Sequence, residues 1–220
     1  VNTANAIFEI DGGTWKSCVI QVALSSWRRT LGSRQDLLVS GVLKTQDSLG
    51  RWVKIGEWDR TLRFYPRRTD VFHGGLFLKK SRYGQGLGTS FVRTCIDSYR
   101  NAGIANVLLE AGDELGGYVW AREGFGWRTK QSQTVIAKDM HTMLYDYDPP
   151  SWWPRSLPES LLKDPGFKDE VAIMSRRLVQ GLLTPEQLAE LGRDRMPDGA
   201  RMWPGKALTM SAEWSGLMVL

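Results

Sequence analysis

"KKSRYGQGLGTSFV", residues 79–92, sets glycines at alternate positions, Gly84, Gly86 and Gly88, behind a run of basic side chains, and its last residues open a helical pattern. Alternating glycines let successive backbone N–H groups turn into one concavity, and the helix that follows adds the partial positive charge of its N-terminus. A loop of this kind is suited to a phosphate or a pyrophosphate. Two familiar phosphate loops fail on spacing. A P-loop needs Lys followed by Ser or Thr after its last glycine, and Leu87-Gly88-Thr89 has no lysine. A dinucleotide fingerprint needs G-x-G-x-x-G inside a parallel βαβ unit, whereas here G-x-G-x-G follows what reads as an antiparallel run.

Upstream of the loop the segments are short, β-branched or aromatic, and broken by glycine: "NAIFEIDGG" (5–13), "WKSCVIQVAL" (15–24), "DLLVSGVLKTQD" (36–47), "RWVKIGEWDRTLRFY" (51–65) and "DVFHGGLFLKK" (70–80). These are expected to be strands of an antiparallel meander, with turns at "QDSLGR" and "YPRRTD". Downstream, Phe91, Val92, Cys95, Ile96 and Tyr99 fall on one face of a helix that "NAG" at 101–103 stops. "IANVLLEAG" (104–112) reads as a buried strand, and "DELGGYVWAREGFGW" as a second helix starting near Asp113.

From residue 130 to 205 the pattern is helical and punctuated by proline. Ile136, Met140, Met143, Leu144 and Tyr147 recur at helical spacing, and "DPPSWWPRSLP" (148–158) reads as a connector. "LTPEQLAELG" (183–192) carries a capping box, with Thr184 as N-cap, Pro185 in the first turn, Gln187 three residues on and Gly192 at the end. "KALTMSAEW" and "GLMVL" are expected to return to strand.

The bulk properties narrow the function classes. The 220 residues, 42% of them hydrophobic, suffice for a substantial core. A formal charge of +5 suits a phosphorylated ligand or a nucleic acid. Cys18 and Cys95 lack the spacing of a metal site and are too few for a disulfide framework, so no metal and a reducing, cytoplasmic compartment are expected. The longest uncharged stretch, Ser17 to Trp27, is shorter than the roughly 20 residues a membrane helix needs, so no membrane partner is expected. The sequence starts at Val1 rather than Met, as a processed product or one domain of a longer protein would.

From about residue 36 to 127 the sequence resembles the GNAT superfamily of N-acyltransferases, in which a fourth strand leads into a Q/R-x-x-G-x-G/A loop and a helix, then a fifth strand and a helix ending in Gly-Phe. "LFLKKSRYGQGLGTSF" matches strand, loop and helix start, "NVLLEAG" the fifth strand and "YVWAREGF" the closing helix. The resemblance implies an α+β GNAT fold, a mixed and mostly antiparallel sheet flanked by helices. Its core is expected over residues 1–128, a helical insertion over 129–205 and sheet-completing strands over 206–220. It also implies acyl-CoA as co-substrate, acetyl by default. The pyrophosphate would lie on Arg82, Tyr83, Gly84, Gln85, Gly86, Leu87, Gly88 and Thr89, and the pantetheine arm along Leu76, Phe77 and Leu78, with Lys79 and Lys80 near the phosphates. The loop's leading Q/R falls on Tyr83, with Arg82 one place early, and an asparagine common in the family falls on Asp113. A tyrosine that can protonate the leaving thiolate falls on Trp120, whose indole donates but is no useful acid, while Tyr118 lies on a different helical face.

Acyl transfer from a thioester to an amine needs a proton acceptor, a held carbonyl and a sink for thiolate charge. His73, three residues before Leu76, is the first candidate base, with Glu57 and Glu110 in reserve. The acceptor would be an amine of a peptide, protein or small molecule. Two other readings stand beside this one: an inactive GNAT-like module that binds CoA or a partner, and a nucleic-acid-binding protein, which the charge favours. Arg60, Arg63, Arg67 and Arg68, at every second or third position on a strand and turn, are spaced as a solvated face or as contacts for an acidic peptide or RNA. Trp152 and Trp153 would either staple the insertion or cap a groove.

Overall fold

The computed structural model describes residues 14–15, 18–29, 34–112, 116–145 and 153–220. The expected strand "NAIFEIDGG", Asp113, Tyr147 and Trp152 lie outside them. The chain divides into two compact units, residues 1–109 with 218–220, and residues 110–217. This boundary falls before the closing helix rather than at residue 128.

In the first unit the strands β1 (Thr14–Trp15), β2 (Cys18–Arg29), β3 (Gln35–Gln46), β4 (Trp52–Tyr65), β5 (Arg68–Leu78) and β6 (Asn106–Ala111, whose residues up to Leu109 belong to this unit) neighbour one another in chain order. The first five pair antiparallel, and β6 joins β5 in parallel. Parallel neighbours need a crossover. Helix α1 (Leu87–Asn101) supplies it, burying Phe91, Val92, Cys95, Ile96 and Tyr99 as their spacing requires. Strand β3 alternates along its length, with Leu37, Val39 and Leu43 at most 3% exposed. The turn to β4 is closed by the Asp47 carboxylate, which accepts the N–H groups of Leu49 and Arg51, each at 2.9 Å.

One irregularity in this ladder positions the rest. On β4 and β5, Arg60 pairs with His73 and Asp59 with Gly75, leaving Gly74 as a bulge. A bulged residue shifts the face of everything beyond it by one. Before the bulge His73 faces Tyr99 of α1; after it, Leu76 and Leu78 lie on that side, each 3.8 Å from where a Cβ on Gly88 would stand. Two exposed side chains lie close over the glycine pair. A Cβ on Gly74 would stand 1.7 Å from Asp59 Oδ1, and one on Gly75 2.3 Å from the Phe77 ring.

The second unit holds α2 (Gly116–Arg122), β7 (Gly126–Trp127), α3 (Lys130–Tyr145), α4 (Pro165–Val179), α5 (Pro185–Ala189), α6 (Pro204–Ser211) and most of β8 (Trp214–Val219), which pairs antiparallel with β7. Helix α3 buries Ile136, Met140 and Met143 and packs on α4, which buries Phe167, Val171 and Leu178. Asp164 caps α4 by accepting the Phe167 N–H at 2.6 Å. The capping box at α5 forms as read, both of its bonds being 3.1 Å.

Residues 206–211 correct the sequence reading, since they are helical rather than extended. Pro204 fixes the first turn of α6, and Ala207, Leu208 and Thr209 are buried together. Strand resumes only at Trp214. Met218–Leu220 return to the first unit, where the Leu220 N–H donates to the Ala105 carbonyl at 3.1 Å.

Candidate functional site

The parallel pairing of β5 with β6 covers only Asp70–His73 against Asn106–Leu109. It stops where the bulge begins. Beyond it, Gly74–Leu78 runs on toward the glycine loop, paired with β4 on one side. A 3-10 turn at Lys80–Arg82 follows, and the Gln85 side chain donates to the Ser81 carbonyl at 3.1 Å. Gly84 and Gly86 both take a φ of 72°, a backbone that L side chains rarely adopt.

Gly86 is the N-cap of α1, and no side chain caps that helix. The first N–H groups of a helix have no intrahelical acceptor, so an uncapped start concentrates donors and partial positive charge at one place. The buried Leu87 side chain, 6% exposed, anchors the turn from below. Gly84, Gln85 and Gly86 are exposed above it, Gly88 and Thr89 are half-buried, and a Cβ on Gly84 would meet nothing within 4 Å. Arg82 is half-buried beside this cradle, and Lys79, Lys80 and Tyr83 are exposed. The residues read as a pyrophosphate site therefore share one loop, open to an anion and lined by backbone donors.

The two candidate bases of the first unit, His73 and Glu57, lie on opposite faces of the sheet. His73 is 2% exposed, its Nε2 lies 3.0 Å from the Tyr99 hydroxyl, and its ring stands edge-on to that of Tyr99. Burial, and then the positive charge of Arg60, hold its pKa well below 6.5. A ring enclosed beneath α1 cannot take a proton from an acceptor in solvent, so the expectation of His73 as base is corrected to a core role. The bulge explains the misreading, because it reverses the face order between His73 and Leu76.

The His73 ring is neutral in the fold and takes a proton more readily when the chain unfolds, so its contribution to stability is lost as pH falls through and below about 6.5. His73→Ala is expected to cost about 2–3 kcal/mol of stability at neutral pH, through the cavity and the Tyr99 hydroxyl left behind. It should also flatten the acid side of the stability profile. Denaturant melts at several pH values test this, and an unchanged midpoint would reject the core role.

Glu57 lies on the opposite face of the sheet, across from Phe77, exposed and paired with Lys54. Glu110 belongs to the second unit, where its carboxylate accepts from Arg128 at 3.1 Å and from the Ser215 hydroxyl. Sequence reasoning missed Asp59. It is exposed, and its carboxylate lies over Gly74 and Gly75 on the same face as Glu57 and the 68% exposed Phe77. The doubled glycine inside a strand was the available signal, since such pairs mark bulges and close approach.

In the second unit Trp120 is 8% exposed and packs edge-on against Phe125, with ring centroids 5.5 Å apart. Tyr118 stands edge-on to Trp203, burial raises its pKa, and the Lys206 ammonium lies 5.1 Å from both rings. Trp153 is buried, with its indole donating to the Leu157 carbonyl at 3.4 Å. The arginines do not form one solvated row: Arg60 is 3% exposed, Arg63 stacks on Phe72, and Arg68 pairs with Asp70.

Among the described residues no group of three or more His, Cys, Asp or Glu could hold a metal ion, and no helix is long and apolar enough to cross a membrane. No protein-family model and no curated protein matches the chain. Among solved structures it is similar to the NatC complex bound to Gag peptide and CoA, at 17% identity and a TM-score of 0.36 over 41% of this chain and 58% of that one. An IAA acetyltransferase from Bacillus cereus matches at 14% identity and a TM-score of 0.33 over 42% and 57%. Nourseothricin acetyltransferase matches at 15% identity and a TM-score of 0.30 over 57% and 78%. The chain spans less than two thirds of the first two.

Proposed function

We propose that this protein, an α+β chain with the fold of the GNAT superfamily, is an acyl-CoA-dependent N-acyltransferase with acetyl as its default donor. One observation carries the reading. A strand that leaves its parallel neighbour at a glycine bulge runs within a few residues into an open glycine loop and an uncapped helix N-terminus. An acyl-CoA needs both parts: a strand edge for the amide-bearing pantetheine arm, and backbone donors for the pyrophosphate. Gly84 through Thr89 would hold the pyrophosphate, Arg82 would add charge, and Leu76, Phe77 and Leu78 would offer backbone groups to the arm.

The acceptor is a primary amine of a peptide, protein or small molecule. Such an amine carries a proton at neutral pH, with a reference pKa of about 10.4. Asp59, beside the bulge and with no cation paired to it among the described residues, accepts that proton directly or through water. Glu57 on the same face attracts the incoming ammonium. The freed nitrogen attacks the thioester carbonyl carbon, the C–S bond breaks, and the departing CoA thiolate takes up the second proton lost by the nitrogen, directly or through water. Phe77, largely exposed on this face, offers the acceptor an apolar contact.

Calorimetric titration with CoA and acetyl-CoA, followed by thiol release against a panel of amines, tests the proposal. Micromolar binding with amine-dependent thiol release is expected; no CoA binding by the folded protein would reject it. The buried Trp120, engaged with Phe125 where the family places a proton donor, favours a second reading as a CoA-binding module without turnover. That reading predicts binding with no thiol release from any amine.

A further inference from the structure

Arg60 is the least expected feature of the first unit. Spacing on the strand and turn alone reads it as part of a solvated face, yet its side chain lies on the α1 face of β4 and is almost wholly enclosed. Among the described residues no carboxylate pairs with it. Its guanidinium carbon stands 5.9 Å from the Trp58 ring centre and 5.5 Å from that of Phe91, so the cation lies against both rings, whose own centres are 6.0 Å apart. Its Nη1 donates to two backbone carbonyls, Asp59 O at 2.5 Å and Gly75 O at 2.7 Å. Those two residues are the register partners that bracket the bulge. A buried charge left in the core is costly, and one spent on two carbonyls at a single irregular point of a sheet fixes that point.

The direction of one carbonyl determines the direction of the next amide. Within a planar trans peptide the C=O and the following N–H point opposite ways. With the Gly75 carbonyl turned to Arg60 on the β4 side, the Leu76 N–H is turned to the other edge of β5, where pairing with β6 has already ended. That is the edge along which the thioester would lie.

We propose that Arg60 is a positioning residue for acyl transfer, holding the Gly75 carbonyl inside the bulge so that the Leu76 N–H points at the thioester oxygen. The inference rests on the acyltransferase reading of the same site. Arg60 touches no reactant. It acts through the backbone, and its value is realised as charge develops on the thioester oxygen, where a pre-aimed N–H donor counts most. It should therefore affect turnover more than CoA affinity.

The test uses Arg60→Met and Arg60→Lys in the full chain, with two independent readouts. The first is kinetic. For Arg60→Met, kcat with acetyl-CoA is expected to fall by about tenfold or more, with CoA affinity within about threefold of wild type, and Arg60→Lys should recover part of the loss. The second needs no activity: the backbone amide resonances of Gly75 and Leu76 in the ligand-free protein should shift and exchange faster in Arg60→Met. Gly75 and Leu76 signals identical to wild type would overturn the inference, as would CoA affinity and kcat falling in parallel. If Arg60→Met does not fold, Arg60→Lys carries both readouts, and unchanged amides in it have the same meaning. Should the wild-type protein bind no CoA, the acyltransferase reading fails on its own, and the amide signals still decide whether Arg60 shapes the bulge.

Discussion

Gly86→Val is expected to reduce CoA affinity by at least a hundredfold in a protein that still folds. Gly86 holds a φ of 72° at the N-cap of α1, where a β-branched side chain is strained and its methyl groups would stand over the first N–H groups of the helix. The backbone strain alone is about 1–3 kcal/mol, less than the stability of an ordinary domain. Gly103 makes the control, because it has a φ of 69° at the other end of the same helix with nothing within 4 Å of a Cβ. Gly103→Val carries comparable strain and should leave CoA affinity within about twofold. Calorimetry on both variants separates strain from obstruction. If Gly86→Val binds CoA as tightly as Gly103→Val does, the loop is not the pyrophosphate site.

Asp59→Asn should lower turnover by about 10²- to 10⁴-fold, the usual worth of a positioned general base, while CoA affinity and melting temperature stay near wild type. The amide keeps the shape that fills the space over Gly74 and Gly75 and loses only the capacity to take a proton. Glu57→Gln, whose carboxylate is tied to Lys54, should instead raise the KM for a cationic amine with a smaller effect on kcat. Steady-state kinetics at saturating acetyl-CoA distinguish the two. Turnover within about threefold of wild type in Asp59→Asn would remove it from the mechanism.

Much of the fold was legible because its signals are local. The apolar residues of α1, the turn at Asp47 and the capping box at Thr184 each follow from residues within one or two turns of one another. So does the turn of the loop, where Gly84 and Gly86 take a positive φ. What escaped depends on partners far along the chain. Residues 206–211 are short and apolar with no strong period, and only the company that Ala207, Leu208 and Thr209 keep makes them helix. Arg60 and Asp59 are adjacent, and strand alternation places them on opposite faces. Which face meets α1 and which meets solvent is settled by register with β5, and the bulge at Gly74 breaks the simple count. For the same reason His73 read as a site residue and Asp59 did not.

The return of Met218–Leu220 to the first unit has a kinetic consequence. As a ribosome makes the chain from its N-terminus, residues 1–109 emerge early, but the segment that bonds the Ala105 carbonyl is made more than a hundred residues later. Residues 110–217 are continuous and can collapse as they appear, whereas the first unit closes a long loop before its last contacts form. The first unit, which carries the glycine loop, is therefore expected to complete its contacts later in refolding than the second, which pulse-labelled hydrogen exchange of the Leu220 amide would show.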